Sequence, residues 1–184
     1  AGVKYGKMVE GARVLISESG KGDTFAERMK RFFLKNVLAR PSILAAFSFI
    51  MALYQKSGLR YLIRKSKVLS LFPGNLVEIE KLSPEFNFIS NGFPAVVQPE
   101  SGVSQHHVAF HEGCLMKHAY ESINNSTVYV LAKNNCTIEI PKKQVCCGSL
   151  HAHNGEMETA LNLAKQNIDT FESYKIDYTS FKNN

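Results

Sequence analysis

The sequence predicts an α/β protein, with a helical N-terminal part followed by the opening of a parallel α/β domain. Three observations carry this expectation. Apolar residues recur at helical spacing from the N-terminus to about Leu69. From His106 onward, short apolar runs of strand length alternate with longer segments of helical period, the pattern of parallel α/β units. All four cysteines and all six histidines lie between His106 and His153, so the reactive side chains are confined to this second part.

In the first part, "VKYGKMVEGARVLI" sets Val3, Tyr5, Met8, Val9, Ala12 and Ile16 near helical spacing. The "SGKGD" break follows, and Asp23 or Thr24 is placed to cap a second helix through "FAERMKRFFLKNVLA". Arg40-Pro41-Ser42 interrupts that helix, and a third is expected from Ser42 to about Lys56. Gly58 separates a short basic helix, "LRYLIRKSKVL". Residues 1–70 thus read as one helical segment. Residues 71–105, with Pro73, Pro84, Pro94 and Pro99, read as an irregular connector.

Residues 106–184 read as the α/β domain. "HHVAF" is a short buried strand, with one of His106 and His107 expected to face the core and the other solvent. After "HEGC" comes a helix near Met116 to Lys133, with Met116, Tyr120, Ile123, Val130 and Leu131 towards the core. "CTIEI" is a second strand stopped by Pro141, "KKQVCCGSLHAHNG" a loop, and the last helix sets Met157, Ala160, Leu161, Ala164, Ile168 and Phe171 on one stripe. In parallel sheets, functional groups gather outside the carboxyl ends of the strands. Cys114 follows the first strand and Cys146-Cys147 the second, so the three thiols are expected on one rim.

Composition narrows the function. A chain of 184 residues allows one domain with an extension. No charged start, apolar core and cleavage site open it. Its longest apolar run, Ile43 to Leu53, falls short of the ~20 residues that cross a bilayer. The expected compartment is the cytoplasm, where thiols stay reduced and serve metals or redox chemistry. The net charge of +6 is uneven. Residues 24–67 hold ten basic residues against one acid, whereas residues 91–184 hold seven against nine. No zinc finger, RNA-binding aromatic signature or helix-turn-helix spacing accompanies the basic helices, so a nucleic-acid partner is not expected. The alternatives are a solvated helical face and a surface for an anionic membrane or an acidic partner. "SGKGD" lacks both G-x-G-x-x-G and the P-loop pattern, so no dinucleotide or nucleotide cofactor is expected.

The thiols point to metal. Adjacent cysteines such as Cys146 and Cys147 rarely bridge to each other, because the disulfide torsion strains the intervening peptide. Thiolates held close together repel unless a cation neutralises them. Structural zinc sites usually grip the ion with C-x-x-C pairs, which are absent here. A catalytic cysteine needs one thiolate and a base, fewer groups than three thiols supply. Iron–sulfur ligation uses several thiolates and is the favoured chemistry. Cys136 is expected to be a buried strand thiol, and His111 and His118 polar residues flanking Cys114.

The spacing C-x31-C-C-G from Cys114 to Gly148 resembles the first half of the cysteine-rich CCG domain. That family includes subunits of heterodisulfide reductase and of anaerobic glycerol-3-phosphate dehydrogenase, a lactate-utilisation protein and the iron–sulfur subunit of glycolate oxidase. The stretch from Val108 to Phe171, with its "CCGSLHAHNG" block, is most similar to the last of these, and "AGVKYGKMVEGAR" resembles the segment after its second ferredoxin cysteine cluster. The resemblance implies half of a CCG domain holding an iron–sulfur cluster, expected to be [4Fe-4S], with Cys114, Cys146 and Cys147 as ligands and His151 and His153 against the cofactor. It also implies a flavin-containing oxidase subunit as partner, electrons passing from a 2-hydroxy acid towards a quinone-type acceptor, and peripheral attachment to the inner face of the cytoplasmic membrane. Family members carry ferredoxin-type clusters upstream and a second CCG unit downstream, so the chain is expected to be a central fragment, non-catalytic by itself and with an incomplete ligand set. The rival expectation is a docking module that holds a flavin partner and no cluster.

Overall fold

The computed structural model describes residues 4–19, 24–66, 68–71, 76–88 and 92–174. The helical part opens with α1 (Tyr5–Ser19). Helix α2 (Phe25–Phe33) is capped by Thr24, whose Oγ1 accepts a hydrogen bond from the Glu27 N–H at 3.3 Å and so satisfies one of the free donors of the first turn. Asp23, the other expected cap, lies outside the described residues. Helix α2 runs into a π-helical turn, Leu34–Leu38, and α3 (Pro41–Lys56) starts with Pro41 where a missing N–H costs nothing. After Gly58 come α4 (Leu59–Ser66) and a 3-10 turn (Val68–Leu71).

The expected irregular connector contains two elements. One is α5 (Leu76–Leu82), stapled to α4 through Glu80, which accepts from Arg60 Nε at 2.8 Å and Arg64 Nε at 2.7 Å. Burial pushes the Glu80 carboxyl up, but hydrogen bonds from Arg64 and Arg60 outweigh that and hold it below its usual range. The other is β1 (Val96–Val97), too short to show a strand period in the sequence.

The sheet has the order β1-β3-β2. Strands β2 (His106–Ala109) and β3 (Cys136–Glu139) are parallel, with His106 opposite Cys136 and Ala109 opposite Glu139, and β1 runs antiparallel along the other side of β3. Both His106 and His107 are exposed, contrary to the expected alternation: β2 is an edge strand, and only its second half, Val108 and Ala109, is partly covered. The crossover consists of α6 (Cys114–Ala119) and α7 (Glu121–Lys133), interrupted at Tyr120, where φ is −130° and ψ is 34°. That interruption resets the helical phase. Asn124, Val128 and Ala132 face the core at intervals of four, while Tyr120, Ile123 and Val130, expected inside, are exposed. The expected loop after β3 contains α8 (Ser149–His153). In the final helix α9 (Met157–Glu172), Ala160 and Leu163 are buried, whereas Leu161 and Ile168 point outward.

Two cores result. One lies against the sheet and joins Val128, Ala132, Cys136, Ile138 and Ile140. The other joins Leu34 and Leu38 of the π-helical turn and Leu44 of α3 to Cys146 and to Leu163 of α9. Phe33 and Phe47 pack against it, edge to face at 5.2 Å, while Phe32 and Phe49 stay exposed. Burying the three leucines contributes about 5–9 kcal/mol of transfer free energy, comparable with the net stability of a whole domain. The helical part is therefore docked on the α/β part through a core that includes a rim cysteine.

Candidate metal centre

The ends of β2 and β3 deliver the thiols. After β2, His111, Glu112 and Gly113 lead to Cys114, the first residue of α6. After β3, the chain passes Pro141 and runs irregularly through Cys146 and Cys147 to Gly148. Gly148 has φ +80°, and a Cβ there would lie 2.9 Å from the Ala160 carbonyl oxygen and 3.1 Å from its Cα. Only glycine lets this loop lie against α9. Polar side chains then fix the two loops. Gln144 accepts from the Glu112 N–H at 2.8 Å and donates to the Pro141 carbonyl at 2.9 Å. Asn167 accepts from the Val145 N–H at 2.9 Å and donates to the Cys146 carbonyl at 3.1 Å. His111 Nε2–H donates to the Val145 carbonyl at 3.1 Å, and its ring stacks on Phe171.

The result is a thiol pair. Cys114 and Cys146 Sγ atoms lie 3.3 Å apart, from positions 32 residues apart in the chain. Cys146 is buried, Cys114 half-buried and Cys147 exposed. The hydrogen bond from the Cys146 thiol holds Cys114 below the usual thiol range, against burial, with help from the Leu115 N–H. The same shared proton, with burial, pushes Cys146 up. When the pair gives up one proton, the charge therefore settles on Cys114 and Cys146 keeps its proton. Both sulfurs line a cavity of about 290 Å³ between the start of α3 (Pro41, Ser42, Leu44) and the rim, where Lys117, His118 and Lys142 complete the wall.

Two thiolates on one tetrahedral ion with metal–sulfur bonds of ~2.3 Å stand roughly 3.8 Å apart, and 3.3 Å is close to that edge. Cys147 offers a third sulfur one residue away. Among the described residues, no group of three or more Cys, His, Asp or Glu side chains converges on one point. The residues therefore fit part of a ligand sphere, and not a closed one.

The structure brings neither His151 nor His153 to this cavity. His151 is fully buried, and its Nε2–H donates to the Leu34 carbonyl at 2.9 Å. The widened π-helical turn, in which Ala39 N–H rather than the next residue back reaches Leu34, leaves that carbonyl able to accept twice. His151 Nδ1 is buried without a partner among the described residues. His153 Nδ1 lies 3.1 Å from Glu10 Oε1, and Arg13 donates to the His153 carbonyl at 2.6 Å. Buried Glu156 pairs with Lys35 at 2.7 Å and Arg31 at 3.7 Å. This block clasps α1 and the π-helical turn to the α/β part. His118 lines the cavity, and burial, then Lys117, holds its imidazole below its ordinary value. Cys136 is buried in the other core, as expected, with its thiol near the Asn134 carbonyl.

The loop-fixing residues Gln144 and Asn167 are not among the residues that sequence reasoning selects. Asn167 does carry a signal: it falls on the core face of α9, four residues after Leu163 and four before Phe171, where a polar side chain requires a buried partner.

Parallel strands that carry cysteines to one rim, roofed by a helical lid, define an α/β domain with a thiol site at the carboxyl ends of its strands. Residues 108–184 match the family described as "Cysteine-rich domain", and residues 26–83 match "Glycolate oxidase iron-sulfur subunit, linker region". The two parts of the chain are thus similar to the cysteine-rich CCG domain and to the linker of glycolate oxidase iron–sulfur subunits, respectively. It is 35% identical over 179 residues, 96% of its length, to a probable glycolate oxidase iron–sulfur subunit of Bacillus subtilis (strain 168), of which it spans 40%. It is 37% identical over 70 residues to an uncharacterized iron–sulfur protein of Methanococcus maripaludis, covering 38% of this chain and 14% of that one. It is 39% identical over 59 residues to lactate utilization protein A of Bacillus cytotoxicus, covering 32% of this chain and 25% of that one. The chain thus spans well under half the length of these relatives. No solved structure matches it.

Proposed function

We propose that this chain is the central, electron-relaying part of an iron–sulfur subunit in a glycolate-type 2-hydroxy acid oxidase complex, which passes electrons from a flavin-containing subunit towards a quinone-type acceptor. The observation that carries this is the pair of sulfurs 3.3 Å apart on one rim, in a chain whose two halves match the linker and the cysteine-rich domain of such subunits. Cys114 and Cys146 would hold an iron–sulfur cluster with Cys147 as third donor, further ligands coming from outside these residues. A bound cluster, of [4Fe-4S] type in this proposal, supplies reversible one-electron chemistry. The chain's own part is positional. Gln144, Asn167 and Gly148 fix the two loops, and the leucines of the lid pack on Cys146.

No single helix among the described residues is long and apolar enough to cross a membrane. Exposed Phe32, Tyr61 and Leu62 on the basic helices α2 and α4 favour peripheral contact with an anionic surface, which on this proposal is the inner face of the cytoplasmic membrane. The test is an anaerobic assay of the metal-reconstituted chain with glycolate or lactate and a dye acceptor. Alone it is expected to reduce no dye, since hydride chemistry needs a cofactor and the sequence carries neither G-x-G-x-x-G nor the P-loop pattern. Dye reduction is expected once a flavin subunit and the rest of the iron–sulfur subunit are supplied. Sustained turnover by the isolated chain contradicts a relay role. The second reading, a docking module without a cluster, is favoured by the open ligand set, and iron and sulfide content separates the two.

A further inference from the structure

We propose that Cys114 and Cys146 form a reversible disulfide in the metal-free chain, so that the rim has two mutually exclusive states, bridged sulfur and metal-bound sulfur. This does not rest on the electron-relay reading, because it follows from the position of the two sulfurs alone. They stand 3.3 Å apart, and a disulfide of ~2.05 Å needs them to close by only about 1.2 Å. The movement has somewhere to come from. The Cys114 side chain is only half-buried, whereas Cys146 is buried and its loop is wedged on α9 at Gly148. Rotation of the Cys114 side chain is the movement that closes the gap.

Cys114 and Cys146 both line the cavity, and half-buried Cys114 is the one that a small oxidant meets first. The other pairings are disfavoured. Cys146 and Cys147 are adjacent, and a bridge between neighbours strains their peptide. Cys136 is held in the other core.

The chemistry balances with a low-molecular-weight disulfide, RSSR, as oxidant. The Cys114 thiolate attacks one sulfur of RSSR and expels RS⁻. Cys146 then loses its proton, attacks Cys114 Sγ and expels the second RS⁻. Two cysteine thiols and one RSSR become one protein disulfide and two RSH, the protein giving up two electrons and two protons. The two groups that bind metal as thiolates are consumed, so oxidation closes the site until a thiol reductant reopens it.

The test uses the full 184-residue chain, freed of metal with a chelator and equilibrated with reduced and oxidised glutathione at several ratios. Free thiols are trapped by alkylation, and intact mass and tryptic peptides are read. The expected product carries two alkyl groups instead of four, with the peptide ending at Lys117 linked to the peptide beginning at Gln144. Fragmentation places the link on Cys146, and Cys147→Ser and Cys136→Ser retain it. Four alkyl groups at every ratio overturn the proposal. So does a link placed on Cys147, which the wild-type fragmentation reveals even if a Cys146→Ser chain fails to fold.

Discussion

Replacing Gly148 by alanine tests how the cysteine loop is seated. The backbone there is left-handed, at φ +80°, which costs a non-glycine residue about 1–2 kcal/mol. The added Cβ would also lie 2.9 Å from the Ala160 carbonyl and 3.1 Å from its Cα, both backbone atoms of α9 that cannot rotate aside. Overpacking of this kind costs roughly 1–3 kcal/mol. A total near 3 kcal/mol lowers the melting temperature of a chain this size by about 6–12 °C. Gly11→Ala is the matched control: Gly11 lies exposed within α1 with nothing within 4 Å of its added Cβ, and there alanine stabilises by up to ~1 kcal/mol. Calorimetry or circular dichroism on the three proteins decides the matter. A Gly148→Ala chain melting within about 2 °C of wild type would refute the claim that the loop is wedged against α9.

Other outcomes follow from the same geometry. Leu34→Ala removes a buried side chain shared by the lid and the rim, so it should cost about 2–5 kcal/mol in a single unfolding transition; separate transitions for the two parts would contradict a shared core. His118 is held below its ordinary pKa of ~6.5, so its contribution to stability is complete above that value and is lost as pH falls through it towards the lower folded value. Urea midpoints of wild type and His118→Gln should therefore converge as pH falls below about 6.5, and parallel pH profiles would remove His118 from the account. Vesicle flotation should show salt-sensitive binding to anionic and not neutral lipid, each engaged basic residue contributing ~1 kcal/mol; equal binding to both would rule out electrostatic contact.

What can be read in the sequence is what local pattern controls. The strands His106–Ala109 and Cys136–Glu139 announce themselves as short apolar runs, and the rule that parallel strands place functional groups at their carboxyl ends brings Cys114 and Cys146 together. The inward face of α7 escapes periodicity because the interruption at Tyr120 resets its phase, an event with no proline or glycine to mark it. Helix α5 and strand β1 depend on distant partners, Arg60 and Arg64 for one and β3 for the other, so their own few residues carry little signal. A place in the "CCGSLHAHNG" block, the stretch that carries the family resemblance, is what suggests a cofactor role for His151 and His153. One turn of α8 carries them instead to Leu34 and Glu10, and no spacing rule reveals a carbonyl 117 positions away.

The central claim is that the rim sulfurs are ligands, and iron and acid-labile sulfide content after anaerobic reconstitution tests it most directly. The comparison is between wild type, Cys146→Ser, Cys147→Ser and Cys136→Ser, each shown by circular dichroism to be folded. Wild type and Cys136→Ser should bind iron and sulfide alike, because Cys136 lies in the other core, while Cys146→Ser and Cys147→Ser should bind neither. A folded wild type that takes up no iron, or a Cys136→Ser chain that alone loses it, would contradict the account.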